Sequence, residues 1–415
     1  DGSQVTAPHD RNIIAEVEKI TSIDQILTGA NPGNITLLGE EFDEIYLNKV
    51  HTLSLSPESV GKFHDMKIAY TPLHGAGVRL VPASLRKWGF TNVSLVEEQA
   101  VIDGNFPTVE SPNPEERKTM AKAIELGSRL GADLVLATDP DSDRIGVALR
   151  NAKGEYVLLN GNQTLSLIMA YQLTRWSELG RLDGKEFVVK TIVTSQMPNV
   201  MAAHFGVKCY DCLTGFKYIA RIIRNNEGKA TYIGGGEESF GYLAGDFVRD
   251  KDAVSACSLV AEAAAWTRDT MGLTLYEWLQ KLYVEFGFFR EGLVSVVRKG
   301  MEGAAEIQQM MVDYRADPPR EIAGSPVVKI NDFKLLESTD VRTGAKTPIE
   351  EEASNVLQWF AADGTVVSVR PSGTEPKIKF YFGVRAELES VADFDRVEVG
   401  LDAKIETIKK ELKLV

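Results

Sequence analysis

The sequence predicts an α/β protein in which a βαβ pattern repeats, followed by a smaller α+β module. Three observations carry this. Lys67-Ile68-Ala69-Tyr70 reads as a strand, Leu73-His74-Gly75-Ala76-Gly77 as a glycine-rich turn, the run to Gly89-Phe90 as a helix, and Val93 to Val96 as a second strand. That is the order of a βαβ unit. The same order recurs at Phe187 to Val193 (strand), Ser195-Gln196-Met197-Pro198 (helix start), Gly206 (helix end) and Val207 to Tyr210 (strand). The last quarter of the chain mixes short strands with single helices and has no βαβ order.

Residues 1–45 hold a Pro8-His9-Asp10 turn and a helix to Lys19; they are too few for a domain and read as the tail of one. Residues 46–180 carry the first βαβ unit and then the apolar strand Ala132 to Thr138, which ends in a cluster of carboxylates. Gly146 to Leu149 and Tyr156 to Leu159 flank Asn151-Ala152-Lys153-Gly154, a hairpin signal, and Gln163 to Trp176 reads as a helix. Residues 181–287 hold the second unit, an alanine-rich helix over Ser255 to Arg268 and an amphipathic one over Leu273 to Phe286. Residues 288–415 begin with a strand, Gly292 to Val297, and a helix, Lys299 to Tyr314. After Pro318-Pro319 come several short strands and a terminal helix from about Asp393.

At roughly 100–200 residues per domain, 415 residues suggest two to four domains. Apolar residues at 44% and charged residues at 25% are enough for several buried cores. A net charge of −13 argues against non-specific binding to nucleic acid or anionic membranes, although a local basic pocket could still take a phosphorylated substrate. No run of about 18 apolar residues or signal-peptide pattern occurs, so the cytoplasm is the expected compartment. Three cysteines make no disulfide framework. Cys209 and Cys212 form a C-x-x-C, but a zinc site would need two more ligands, and the pair falls in a predicted strand rather than at a helix start.

Three local motifs carry chemistry. Thr138-Asp139-Pro140-Asp141-Ser142-Asp143-Arg144 puts three carboxylates within five residues at a strand end. Their mutual repulsion is costly unless a cation or protons offset it, and hard oxygen ligands suit Mg²⁺. An EF-hand loop would need Gly sixth and Glu twelfth, where Arg144 and Arg150 stand. A haloacid-dehalogenase-type phosphatase would need Thr where Asp143 stands. Gly234-Gly235-Gly236-Glu237-Glu238-Ser239-Phe240-Gly241-Tyr242 allows close backbone approach and offers carboxylate and hydroxyl groups to sugar hydroxyls; a structural glycine turn reads equally well. Arg370-Pro371-Ser372-Gly373-Thr374-Glu375-Pro376, between two predicted strands, offers an Arg fork, hydroxyls and backbone N–H groups to a phosphate, or is a plain hairpin loop.

Together the three motifs describe chemistry on a sugar phosphate. Their order and spacing resemble the α-D-phosphohexomutase family, over essentially the whole chain. The resemblance implies four domains, the first three α/β and the fourth α+β, with residues 1–45 a remnant of the first. It implies transfer of phosphate between C1 and C6 of an aldohexose through a phosphoserine and a bisphosphate, with Mg²⁺ and with glucose 1,6-bisphosphate as activator or intermediate. Carried over by residue, Asp139, Asp141 and Asp143 resemble the metal carboxylates, and Arg144 would face the phosphoserine. Glu237 and Ser239 resemble the pair that holds sugar hydroxyls. Thr214-Gly215-Phe216-Lys217 looks like a substrate loop, with Thr214, Gly215 and Lys217 near sugar or phosphate, and Lys251 resembles another substrate lysine. Arg370, Ser372, Gly373 and Thr374 look like the loop that grips the non-transferring phosphate. His74 has no role in this scheme.

The family serine sits in a T-A-S-H-N-P-type loop, and this sequence has none. The stretch from Asp1 to Asp10 resembles the family segment downstream of that loop, so the sequence reads as lacking most of the first domain, with its serine and a general acid/base candidate, and the chain alone is expected to be inactive. Two other readings stay open: a metal-dependent sugar-phosphate phosphatase, and a non-catalytic sugar-phosphate-binding protein. The Glu237-Glu238-Ser239-Phe240-Gly241 version of the sugar loop resembles that of glucose-preferring members and of their pentose or bisphosphate-synthesising relatives; members that also take mannose often end in Ser-Gly-His, and the choice among glucose, mannose and pentose stays open. Oligomeric state is not legible.

Overall fold

The computed structural model describes residues 2–29, 31–298, 300–372 and 376–414. The chain divides into two compact units, Asp1–Lys190 with Phe205–Tyr210 and Gly215–Leu275, and Thr191–His204 with Asp211–Thr214 and Tyr276–Val415.

The first unit opens with α1 (His9–Val17), α2 (Glu40–His51) and α3 (Pro57–Lys62). None of the described residues before Leu47 is buried, and Ile13, Ile14, Ile23, Leu27, Leu37 and Leu38 stand exposed. Burial starts where α2 meets the α/β part, at Leu47 and Val50.

The predicted first βαβ unit forms, and the hairpin extends it. β1 (Ile68–Thr71), β2 (Val93–Leu95), β3 (Leu134–Thr138), β4 (Ile145–Arg150) and β5 (Tyr156–Leu158) make one sheet in the order β2-β1-β3-β4-β5. β1 runs parallel to β2 and β3, while β4 and β5 add antiparallel. Parallel neighbours need crossover connections, which α4 (Gly77–Trp88) and α5 (Ala121–Leu130) supply. Both helices end on a left-handed glycine, Gly89 and Gly131, where a side chain would be strained. β1 and β3 are buried along their whole length, so β3 delivers its carboxylates from a rigid support.

The second sheet has the order β7-β6-β8-β9, from β6 (Glu186–Thr191), β7 (Lys208–Cys212), β8 (Thr231–Gly236) and β9 (Tyr242–Ala244). β6 and β8 are parallel, β8 and β9 antiparallel. The C-x-x-C lies in β7 as expected. Around this sheet run α6 (Gly161–Glu178), α8 (Phe216–Asn226) and α9 (Ala253–Met271), while α7 (Met197–His204) follows β6 along the chain. α6 starts on a capping box of Asn160 and Gln163 and packs on β8, with Gln172 donating to the Ile233 carbonyl at 3.2 Å. α9 is buried from Ala253 to Thr267 and packs against α3, α4 and α6; its alanines permit that close approach on every side. Thr214 and Gly215 form a bend that leads into α8, whose first residue, Phe216, is buried.

The second unit carries an antiparallel sheet. After α10 (Leu275–Phe286) come β10 (Phe288–Val297), α11 (Gly300–Ala316), β11 (Glu321–Ile322), β12 (Ser325–Asp332), β13 (Glu337–Asp340), β14 (Lys346–Pro348), β15 (Leu357–Ala361), β16 (Val366–Pro371), β17 (Lys377–Ala386) and α12 (Phe394–Glu411). The sheet order is β10-β17-β16-β15-β12-β13-β14, with β11 on β12. Tyr283, Phe288 and Phe394 stack at centroid distances of 4.4 and 4.7 Å, fastening α10 and α12 to β10.

Candidate metal and sugar-phosphate site

The turn between β3 and β4 is held from within. Asp139 Oδ1 accepts the backbone N–H of Asp143 at 3.1 Å and of Arg144 at 2.9 Å, and Ser142 takes a left-handed φ of 60°. One ligand oxygen from each of Asp139, Asp141 and Asp143 then lies within 4.8 Å of the others. Burial pushes the Asp139 carboxyl up to about 7; the charges of Asp143 and Asp141 add to this, against the N–H donors and the Arg144 guanidinium. Asp143 Oδ1 and Ser142 Oγ are buried with no hydrogen-bond partner. A divalent cation would satisfy this donor set: it relieves the repulsion that raises Asp139 and occupies the orphaned oxygen of Asp143. Arg144 Nε lies 3.5 Å from Asp139 and 3.6 Å from Asp143, and its Nη1 lies 3.7 Å from Glu115, a neighbour that sequence reasoning missed.

The glycine-rich motif comes to this turn through backbone contacts. Arg144 forms a β-bridge with Gly241, and Ile145 N–H donates to the Phe240 carbonyl at 3.0 Å. Glu237 is buried and accepts the Gly215 N–H at 2.8 Å, while Ser239 is half-buried. A Cβ on Gly161, at the start of α6, would stand 1.9 Å from the Glu238 carbonyl, so only glycine lets the loop lie there.

Lys251 joins these pieces. Its Nζ lies 3.0 Å from Asp143 and 3.0 Å from Asp250, and 5.3 Å from the centre of the Phe216 ring. Burial works to lower its pKa, but the bonds to Asp143 and Asp250 outweigh that, and the net direction is up, so it stays charged. Asp252, buried beside it, caps α9 by accepting from Val254 and accepts the Tyr46 hydroxyl at 2.7 Å. α9 also presents its Ala253 N–H to the Ser142 carbonyl at 3.0 Å.

The other expected residues have contacts of their own. Lys217 has its Nζ 5.3 Å from the centre of the Tyr218 ring. Thr214 falls in the second unit. So does Arg370, which pairs with Lys379 across β16 and β17; Ser372 N–H donates to the Lys377 carbonyl at 2.8 Å. Gly373 and Thr374 lie outside the described residues.

Comparison with known proteins identifies the family. The phosphoglucomutase/phosphomannomutase alpha/beta/alpha domain II matches residues 44–154, alpha/beta/alpha domain III residues 160–286, and the C-terminal domain residues 328–399. The chain belongs to the α-D-phosphohexomutase family. A phosphoglucomutase of Staphylococcus aureus is 32% identical over 409 residues, which span 98% of this chain and 71% of that protein. Two solved structures share the family fold. One is the open form of the phosphoglucomutase pp63/parafusin of Paramecium (TM-score 0.58, 15% identity, 89% of this chain and 62% of that one). The other is a phosphoglucomutase/phosphomannomutase family protein of Burkholderia thailandensis (TM-score 0.57, 17% identity, 88% and 64%). The chain thus spans under two thirds of the length of these solved relatives. Among its described residues no helix is long and apolar enough to cross a membrane.

Proposed function

We propose that this chain carries the metal, sugar and phosphate-gripping parts of a phosphoglucomutase, which interconverts glucose 1-phosphate and glucose 6-phosphate through a phosphoserine and a bisphosphate. The observation that supports it best is Lys251, whose ammonium ties the acidic turn to the Phe216 and Gly241 segments within one unit. Asp139, Asp141 and Asp143 would hold Mg²⁺, which when bound offsets negative charge on the phosphoryl group being transferred. Arg144 supplies a guanidinium to the same phosphoryl oxygens, and Lys251 a second cation. Glu237 accepts hydrogen bonds from two sugar hydroxyls and so orients the ring. Arg370 and Ser372, with Gly373 and Thr374, grip the phosphate that stays. The Glu-Glu-Ser-Phe-Gly loop supports glucose over mannose.

Glucose 6-phosphate titrated into the 415-residue chain is expected to shift backbone NMR signals around Glu237 and Arg370. Arg370→Lys should weaken the binding, since an ammonium gives no planar two-pronged contact. Unchanged affinity of that variant, or tighter binding of mannose 6-phosphate, contradicts the reading. Assayed alone, with glucose 1,6-bisphosphate added, the 415 residues are expected to show no mutase turnover, because no T-A-S-H-N-P-type loop is present to take the phosphate; a coupled assay on glucose 1-phosphate checks this.

A further inference from the structure

His74 sits in the turn after β1, inside a chain of hydrogen bonds whose directions its fixed donors and acceptors decide. Leu73 N–H donates to Thr71 Oγ1 at 3.1 Å, so the Thr71 hydroxyl passes its own proton to Gln99 Oε1 at 2.7 Å. Gln99 Nε2 donates to Thr108 Oγ1 at 2.9 Å. On the far side, His74 Nδ1 lies 2.9 Å from the Val101 carbonyl, which can only accept, so Nδ1 carries the proton. In the neutral imidazole Nε2 is then the acceptor, and the Thr108 hydroxyl donates to it at 2.8 Å. The circuit leaves the turn at Leu73 and returns to it at His74. Thr71, His74 and Gln99 are buried, and Thr108 is half-buried.

The turn needs such a fastening. Leu73 and His74 both have left-handed φ, 47° and 63°, which strains any residue with a Cβ. That shape brings the next two residues against the acidic turn. Ala76 N–H donates to the Pro140 carbonyl at 2.8 Å, and a Cβ on Gly75 would stand 2.3 Å from Pro140 Cα. Pro140 lies between Asp139 and Asp141, so any relaxation of the 73–77 turn moves two of the three carboxylates.

We propose that His74 and Thr108 are positioning residues: their hydrogen bond holds the 73–77 turn against Pro140 and thereby sets the spacing of Asp139, Asp141 and Asp143 for a divalent cation. This rests on the metal reading above. Thr108→Val removes the hydroxyl and keeps the shape, whereas Thr108→Ser keeps the hydroxyl. Calorimetric titration of Mg²⁺ into each 415-residue variant is expected to show about three- to tenfold weaker binding for Thr108→Val and an affinity within about twofold for Thr108→Ser. The loss stays below the roughly 10–100-fold seen when a group bonded directly to a ligand is removed. A Thr108→Val chain that melts lower but binds Mg²⁺ unchanged has lost only structure, and that result overturns the proposal. So does a Thr108→Ser chain as weak as the valine variant. Asp141→Ala in the same series separates the two readings: weakening by Asp141→Ala alone removes the positioning role, and weakening by neither removes the metal site itself.

Discussion

Replacing Asp141 by alanine is expected to weaken Mg²⁺ binding by at least about tenfold, or about 1.4 kcal/mol. The three carboxylates are not equivalent. Asp139 spends one oxygen on two backbone N–H groups, and Asp143 shares one with Lys251. Asp141 is exposed, and among the described residues no hydrogen bond or ion pair engages it. Its charge is the one left to a cation, and hard-ion affinity follows ligand charge. Since it supports nothing else, the variant should melt where the parent does. Mg²⁺ titration with equal affinity for both chains would sink the metal assignment.

Glu262→Ala is expected to destabilise the first unit by about 3 kcal/mol or more, a large share of the roughly 5–15 kcal/mol that holds a domain folded. Glu262 lies fully buried on α9. Its carboxylate accepts from the Ser54 hydroxyl, the Ser56 N–H at 3.0 Å, the Leu55 N–H at 2.9 Å and the Tyr171 hydroxyl at 2.9 Å. Alanine would leave the two backbone donors buried without partners, and each costs about 1–3 kcal/mol. Urea unfolding at fixed pH measures the difference; a change under about 1 kcal/mol contradicts the account. Burial raises the Glu262 pKa more than its donors lower it. A carboxyl raised in the fold contributes fully below its unfolded value, about 4.3, and that contribution is lost as pH climbs through the folded value. The gap between parent and variant should therefore narrow as pH rises above about 4.3.

Much of the candidate site was legible because its signals are local. An acidic run at the end of an apolar strand, a triple glycine before Glu-Glu-Ser and an Arg-Pro-Ser-Gly-Thr loop each declare themselves within a few residues. α2, α3 and α5 went unread, since Glu40–His51 and its like are short amphipathic segments that look polar until a neighbour covers one face. Glu115, Asp252 and Gly161 were missed because each matters through a partner far along the chain. The Gly161 contact with Glu238 and the Tyr46 bond to Asp252 leave no mark on local pattern. His74 was visible but mute, because its meaning lies in Thr108 and Pro140.

The sequence by itself determined the α/β class, the βαβ order of the first strands and helices and the residue types available for metal, sugar and phosphate. Period, turn chemistry and charge clustering act over a few residues, so they survive in the linear text. Only the tertiary structure decided that Lys251 meets Asp143, that Glu237 is pinned by Gly215, and that the turn at His74 braces Pro140. Those contacts depend on which strands neighbour one another and how closely glycine lets backbones approach, and both are settled by packing.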